Sequence, residues 1–368
     1  TEVAGFYSGL TRILRENNHV VKFIGGNEHK YKYSIEPINL LDKFYYLTKR
    51  RSFFILKPIQ LLIREFIGWI YFFDILFNYD LVIFGYGRSC SITMIDLYLL
   101  KLFNKKVLMY MHHGSESRAP IYSSRYEHSS KIKIFISTNI NFIRCRLIEK
   151  FCEKITANPL SSHFFKKDKI LYIQAGLPIF SKPSINKPKY KSENKVIIVH
   201  NPTNKILKGT EELKIKLKEY NFKLLNQMNA IDFNNYLNMN NVIVIDQLYS
   251  DNPFPATTRE CLLNEIPVVI SGHDFNEVIP LYKDLGLSLS HVSTPDGLLN
   301  KINSYKNETL DFTDNKLFND DFIYNNLNKI VNDSSSIKFF DPNFYGRNSS
   351  VGFSVTRLNE FHKKNRFL

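Results

Sequence analysis

The sequence lacks most of the features that would sort it at once. It has only four cysteines, Cys90, Cys145, Cys152 and Cys261, scattered over 368 residues. Cys145 and Cys152 lack the spacing of a zinc knuckle or a redox pair, so the set reads as ordinary buried thiols in a reducing compartment. Residues 53–79 form the most apolar stretch, yet the longest uncharged piece there, FIGWIYFF, is too short to span a bilayer. No GxxxxGK[ST] loop is present, and GYGRSC (85–90) has two glycines without the third of a dinucleotide fingerprint. No helix-turn-helix, zinc-finger or RNP pattern occurs, and the aromatics lie in apolar runs rather than between basic residues. Both points argue against nucleic acid as a partner. No Cys or carboxylate cluster sits at ligand spacing. His112 and His113 are adjacent on a strand, point to opposite faces and cannot chelate one ion. No metal and no cofactor is therefore expected. There is no internal repeat and no signal-peptide pattern. The chain opens TEVAGFYSGL without a Met, as though a first strand lay upstream.

What is present is a globular composition, 44% hydrophobic and 23% charged, with a net charge of +14. The charge is lopsided. Residues 1–180 carry 26 Lys+Arg against 14 Asp+Glu, a net +12, whereas residues 181–368 carry 23 against 21. The first half therefore calls for an anionic partner: an anionic membrane surface, a lipid phosphate or nucleic acid.

The pattern along the chain alternates strand and helix. HVVKFIGG (19–26), LVIFGYG (81–87), KVLMYMHHG (106–114), KITAN (154–158) and KILYIQAG (169–176) read as strands. Helical patterns over GFYSGLTRILREN, SITMIDLYLLKLF (91–103) and FIRCRLIEKF (142–151) separate them. SKPSINKPKYKSEN (181–194) reads as a linker, and the alternation restarts beyond it with KVIIVH (195–200), FKLLNQ, NVIVID (241–246), IPVVIS (266–271) and SLSHVS (288–293). Such alternation predicts parallel sheets with helices on both faces. The expected fold is α/β: two doubly wound domains, 1–180 and 181–343, facing a cleft, with 344–368 packing back on the first. Residues 53–79 interrupt the pattern and allow two readings. They are helices packed on the sheet, or an interfacial segment with lysines and arginines beside anionic lipid.

Two loops carry chemistry. Lys208-Gly209-Thr210 follows a strand and opens a helix. Gly209 lets the backbone approach a ligand, Thr210 can cap the helix, and Lys208 supplies a point charge to a phosphate. A plain capped loop with a solvated lysine is the alternative. Farther on, a strand ends at Asp246-Gln247 and leads to Thr257-Thr258 at a helix start, with Glu260 inside the first turn. Free N–H groups there suit a diphosphate, and the carboxylate suits the two hydroxyls of a ribose. Glu260 has an equally simple reading as a complement to the helix dipole.

The KGT after a strand, followed by D-Q-loop-E-C-L-L-N-E-I-P-V-V, resembles the donor-binding half of GT-B glycosyltransferases. It is closest to the retaining nucleotide-sugar enzymes of the family 4 kind. LVIFGYGRS and DLYLLKLFNKKVLMYMHHGSESR (96–118) resemble the strand–helix–strand that ends in His-Gly on the acceptor side. The likeness spans most of 80–271. It implies two Rossmann-like domains and a hexosyl transfer, in which Lys208 neutralises the donor diphosphate, Glu260 holds the ribose and His113 lies beside the transferred sugar. Arg118 would reach a phosphate or the acceptor, and the glycine-rich turn survives as Gly5 and Gly9. The family's second carboxylate, eight positions before Glu260, is replaced by Asn252 with Asp251 beside it. The glycine before Pro-Val-Val is replaced by Glu265, leaving Asn264 for the left-handed turn.

The resemblance thus implies a cytoplasmic enzyme, peripheral to the inner face of the membrane. It would move a sugar from a nucleotide-sugar to a bacterial surface glycan or lipid-linked acceptor. A nucleotide-sugar epimerase of the same architecture and, from the charge, a nucleic-acid binder stand as alternatives.

Overall fold

The computed structural model describes residues 5–24, 57–111, 113–179, 196–225, 228, 230–305, 313–333, 335, 337–345 and 349–365. The expected linker 181–194, residues 53–56 at the start of the apolar stretch, and His112 lie outside them.

Among the described residues, two five-stranded sheets organise the fold. The first holds β1 (Leu81–Gly85), β2 (Lys106–Met111), β3 (Lys154–Ala157) and β4 (Lys169–Leu171), side by side and parallel. The second holds β5 (Ile197–His200), β6 (Phe222–Leu224), β7 (Val242–Gln247), β8 (Val268–Ser271) and β9 (Val292–Ser293). Its spatial order is β6-β5-β7-β8-β9, again parallel throughout. Every residue of β7 is buried, as expected for a parallel strand covered on both faces. The last strand, β10 (Phe339–Phe340), returns to the first sheet and pairs antiparallel with β4. The alternation of the sequence is therefore realised as an α/β fold with parallel-rich sheets.

The helices in chain order are α1 (Phe6–Glu16), α2 (Lys57–Asn78), α3 (Ile95–Leu102), α4 (Lys131–Phe151), α5 (Thr210–Lys216), α6 (Ala230–Met239), α7 (Ala256–Leu263), α8 (Phe275–Lys283), α9 (Leu298–Ser304), α10 (Asp320–Asn332), α11 (Pro342–Tyr345) and α12 (Val355–Lys364). α4 begins at Lys131 rather than at 142, because the Ser130 side chain accepts the Lys133 N–H and caps it there.

Three expected strands are shorter or absent. Residues 19–24 join no sheet. Val20 is 89% exposed, and Lys22 donates to Asp74 of α2 at 2.7 Å, so the segment runs along the surface. β4 stops at Leu171, where the chain turns into a 3-10 helix over Tyr172–Ala175. SLSHVS contributes only Val292–Ser293.

Within the 53–79 pattern, Lys57–Asn78 forms the single long helix α2. It buries Ile67, Tyr71, Phe72 and Ile75, and Phe72 and Ile75 join the core that holds Val82 of β1 and Val107 of β2. Its other face exposes Ile59, Leu62, Phe66, Ile70, Phe73 and Phe77, spaced three or four apart as one helical stripe. Among the described residues no helix is long and apolar enough to cross a membrane.

The chain returns to the first sheet before residue 344. Ile323, Leu327 and Ile330 of α10, at i, i+4 and i+7, pack with Phe6, Leu10 and Tyr110. Residues 349–365 then touch elements that flank each sheet. Phe353 and Phe361 pack on Ile134 of α4, while Gly352 N–H donates to Tyr249 O after β7 at 2.9 Å.

Candidate functional site

The loops that leave the carboxyl ends of β2 and β3 meet the loop that leaves β7. Arg118, after β2, donates through Nε to Asp251 Oδ2 at 2.7 Å, and a second guanidinium nitrogen joins the same oxygen. Asn158, after β3, donates to the Asp251 backbone O at 2.8 Å. In parallel α/β sheets this end is where ligands gather.

On the second-sheet side, Gly209 is the residue that starts α5. Its φ is 68°, a left-handed conformation that glycine takes without strain, and an added Cβ would lie 2.9 Å from the Leu248 Cβ. Thr210 is not the cap that the sequence suggests. It is buried in the first turn, with its hydroxyl 3.0 Å from His200 Nε2. His200 Nδ1 lies 2.7 Å from Ile245 O, and a carbonyl only accepts, so Nδ1 carries the proton and Nε2 accepts from Thr210. Burial holds that imidazole neutral, its pKa pushed down to about 4.

Lys208 is not a solvated point charge. Its ammonium forms an ion pair with Asp246 Oδ1, and Asp246 is fully buried. A register shift between Ile245 and Gln247 makes Asp246 the extra residue of a β-bulge, a device that re-aims a side chain. Its other oxygen accepts from the Thr258 N–H at 3.0 Å and the Thr258 hydroxyl at 2.9 Å. Pro255 offers α7 no capping side chain, so Asp246 caps that helix from the neighbouring strand. The Thr258 N–H, expected to be free for a diphosphate, is therefore taken. Lys208 keeps further ammonium hydrogens for a ligand, and Thr257 on α7 is only half-buried.

α7 starts at Ala256, so Glu260 lies in the second turn rather than the first. It is half-buried. The left-handed residue after this helix is Glu265, with φ 56°, and not Asn264.

On the first-sheet side, His113 follows β2. Its Nε2 is 3.2 Å from the Tyr7 hydroxyl of α1, and its ring stacks on Tyr86 at 4.2 Å between centroids. Gly5 starts α1 with φ 77°, which places Phe6 and Tyr7 at this point. Gly85 leaves room for Tyr7, whose hydroxyl occupies the place of a Cβ. Burial, and next the positive charge of Arg259, pushes the His113 pKa down to about 3. Arg259 belongs to α7 and lies over the Phe6 ring. Thr258 and Arg259, neighbours on α7, thus connect the Lys208 cluster with the His113 cluster.

Asn252 accepts from the Tyr172 hydroxyl at 2.6 Å, and Asp251 is held by Arg118. Neither supplies a free carboxylate in place of the missing one, and Arg118 is not free to take a phosphate by itself.

Beside Arg118 opens a cleft of about 200 Å³, lined by Arg88, Arg125 and Arg144 together with Glu116, Ser115 and Asn141. Sequence reasoning missed these arginines, since they come from three separate segments. It also missed Arg259 and the role of Asp246, for which the strand-end aspartate was the available signal. Among the described residues no group of three or more His, Cys, Asp or Glu side chains could hold a metal ion. All four cysteines are free thiols. No model of a known protein family, no curated protein and no solved structure matches this chain.

Proposed function

We propose that the chain is a glycosyltransferase of the GT-B kind. It would move a sugar from a nucleotide-sugar to an acceptor, with the second sheet holding the donor and the first sheet the acceptor. The observation that carries this reading is the meeting of the carboxyl ends of β2, β3 and β7, with Lys208 on one side and His113 on the other. Lys208, positioned by Asp246, would stabilise charge that develops on the leaving nucleoside diphosphate. Glu260 would accept from the ribose hydroxyls. His113, neutral and aimed by Tyr7, would hydrogen-bond the transferred sugar rather than serve as an imidazolium. The side chains here need no metal for these roles.

The exposed stripe of α2, next to a first half with net charge +12, supports docking on an anionic membrane surface, and so an acceptor linked to lipid. The test is a thermal-shift screen of nucleoside diphosphates and nucleotide-sugars. A ligand of the native state raises the midpoint by mass action. A rise that vanishes in Lys208→Ala supports the reading, and no rise with any of them overturns it.

A further inference from the structure

The arginine cleft has no task in the reading above. Arg88 comes from the turn after β1, Arg125 from the 3-10 turn over Ser124–Tyr126, and Arg144 from α4. Among the described residues none of the three forms an ion pair. The one carboxylate in the wall, Glu116, is buried and turned to the chain. It accepts from the His113 N–H at 2.9 Å and the Ser115 hydroxyl at 3.3 Å. Arg118 is committed to Asp251. Three guanidiniums therefore line one space of about 200 Å³ that holds a single carboxylate, Glu116, and none of the three is in an ion pair with it.

We infer that the cleft between β1, β2 and α4 is a binding site for a phosphate or diphosphate group, held by Arg88, Arg125 and Arg144. Guanidinium forks match phosphate oxygens two at a time, and Asn141 supplies a neutral amide on the same wall. The turn that presents Arg88 is unusual. Tyr86, a non-glycine residue, holds φ 60°, and Gly87 follows at 56°. Such a conformation is retained only where the surroundings impose it, and it lies beside functional positions more often than elsewhere. Burial, and then the positive charge of Arg88, lowers the pKa of Arg144, and the Glu116 carboxylate offsets only part of this. An anion would relieve that repulsion.

The mouth of the cleft has an apolar border. Asn141 and Arg144 line it from α4, and Ile132, Ile136, Ile140 and Ile143 form an exposed stripe on the adjoining face of the same helix. A lipid phosphate would find its head and its chain accommodated side by side; a soluble phosphate would use the arginines alone.

The proposal stands apart from the donor reading at Lys208, and the experiment keeps them apart. The full chain, Lys208→Ala and Arg88→Gln/Arg144→Gln are each titrated calorimetrically with inorganic pyrophosphate and with geranyl diphosphate, after equal melting temperatures are established. Saturable binding that survives Lys208→Ala and weakens about tenfold or more in the double variant is expected, as for loss of charge-assisted contacts. Tighter binding of geranyl diphosphate than of pyrophosphate assigns the ligand to a lipid; equal binding assigns it to a soluble phosphate. Binding lost in Lys208→Ala but unchanged in Arg88→Gln/Arg144→Gln overturns the proposal, as does no saturable binding of either probe. Should the double variant fail to fold, Arg125→Gln, on an exposed side chain, gives the same readout.

Discussion

Arg118 and Asp251 form a buried ion pair between the two sheets, 133 positions apart in sequence. Gly114 makes room for it, since a Cβ there would collide with the Arg118 guanidinium. The pair fixes the spacing of the loops that carry His113 and the start of α7.

Removing one partner leaves the other charge buried and uncompensated. Arg118→Met should cost about 3–5 kcal/mol of unfolding free energy in urea melts. Arg118→Met with Asp251→Leu should recover much of that loss, because neither charge is then stranded. A small effect of the single change would mean that water reaches Asp251.

Lys208→Ala should weaken nucleoside diphosphate binding by about 1.5–3 kcal/mol, roughly tenfold to a hundredfold, as measured by calorimetry. It also leaves Asp246 with Thr258 alone. Asp246→Asn keeps an acceptor for Thr258 but releases the lysine, so it should lower affinity while α7 stays capped. Affinity equal to that of the parent in both variants would return the loop to a plain capped turn.

His113→Gln should reduce kcat and leave nucleotide affinity almost intact, because the imidazole faces Tyr7 and Tyr86 and not the lysine loop. With its pKa near 3, His113 stays neutral across the working range, so the pH profile should show no limb near 6.5 from this residue. Such a limb, abolished in His113→Gln, would contradict the assignment.

Stability should fall as pH drops. His200 and His291 are buried and neutral, each with a pKa pushed down to about 4. Below the unfolded value of about 6.5 the unfolded chain takes up protons that the folded chain refuses, so the loss runs from there down to about pH 4. Each histidine contributes up to about 1.4 kcal/mol per pH unit over that window. His291→Asn should flatten the slope by its share in urea melts.

Phe66→Ser/Phe77→Ser should reduce co-sedimentation with vesicles of anionic lipid and leave the melting temperature unchanged, since both side chains are exposed on α2. Binding of the parent should weaken as salt rises through the screening range. Equal sedimentation of variant and parent would move the contact to another face.

The layout was legible wherever a period was long and unbroken. β1, β2, β7 and β8 fall where apolar runs put them, and α7 starts one residue before Thr257. HVVKF looked like a strand by composition, yet Lys22 is drawn to Asp74, a partner that no local pattern reveals. The lysine loop was legible as a turn but not as an ion pair, because Asp246 is aimed by a bulge that depends on β8. The arginine cleft was hidden for the same reason. Its residues meet only after the sheet has formed.

The pairing of β10 with β4 bears on how the protein is made. Synthesis runs from the first residue to the last, so the first sheet waits for its edge strand until residue 340 has left the ribosome. By then all five strands of the second sheet have been made. The second sheet can therefore be complete before the first, and the earlier half of the chain should be the later half to resist protease on a stalled nascent chain.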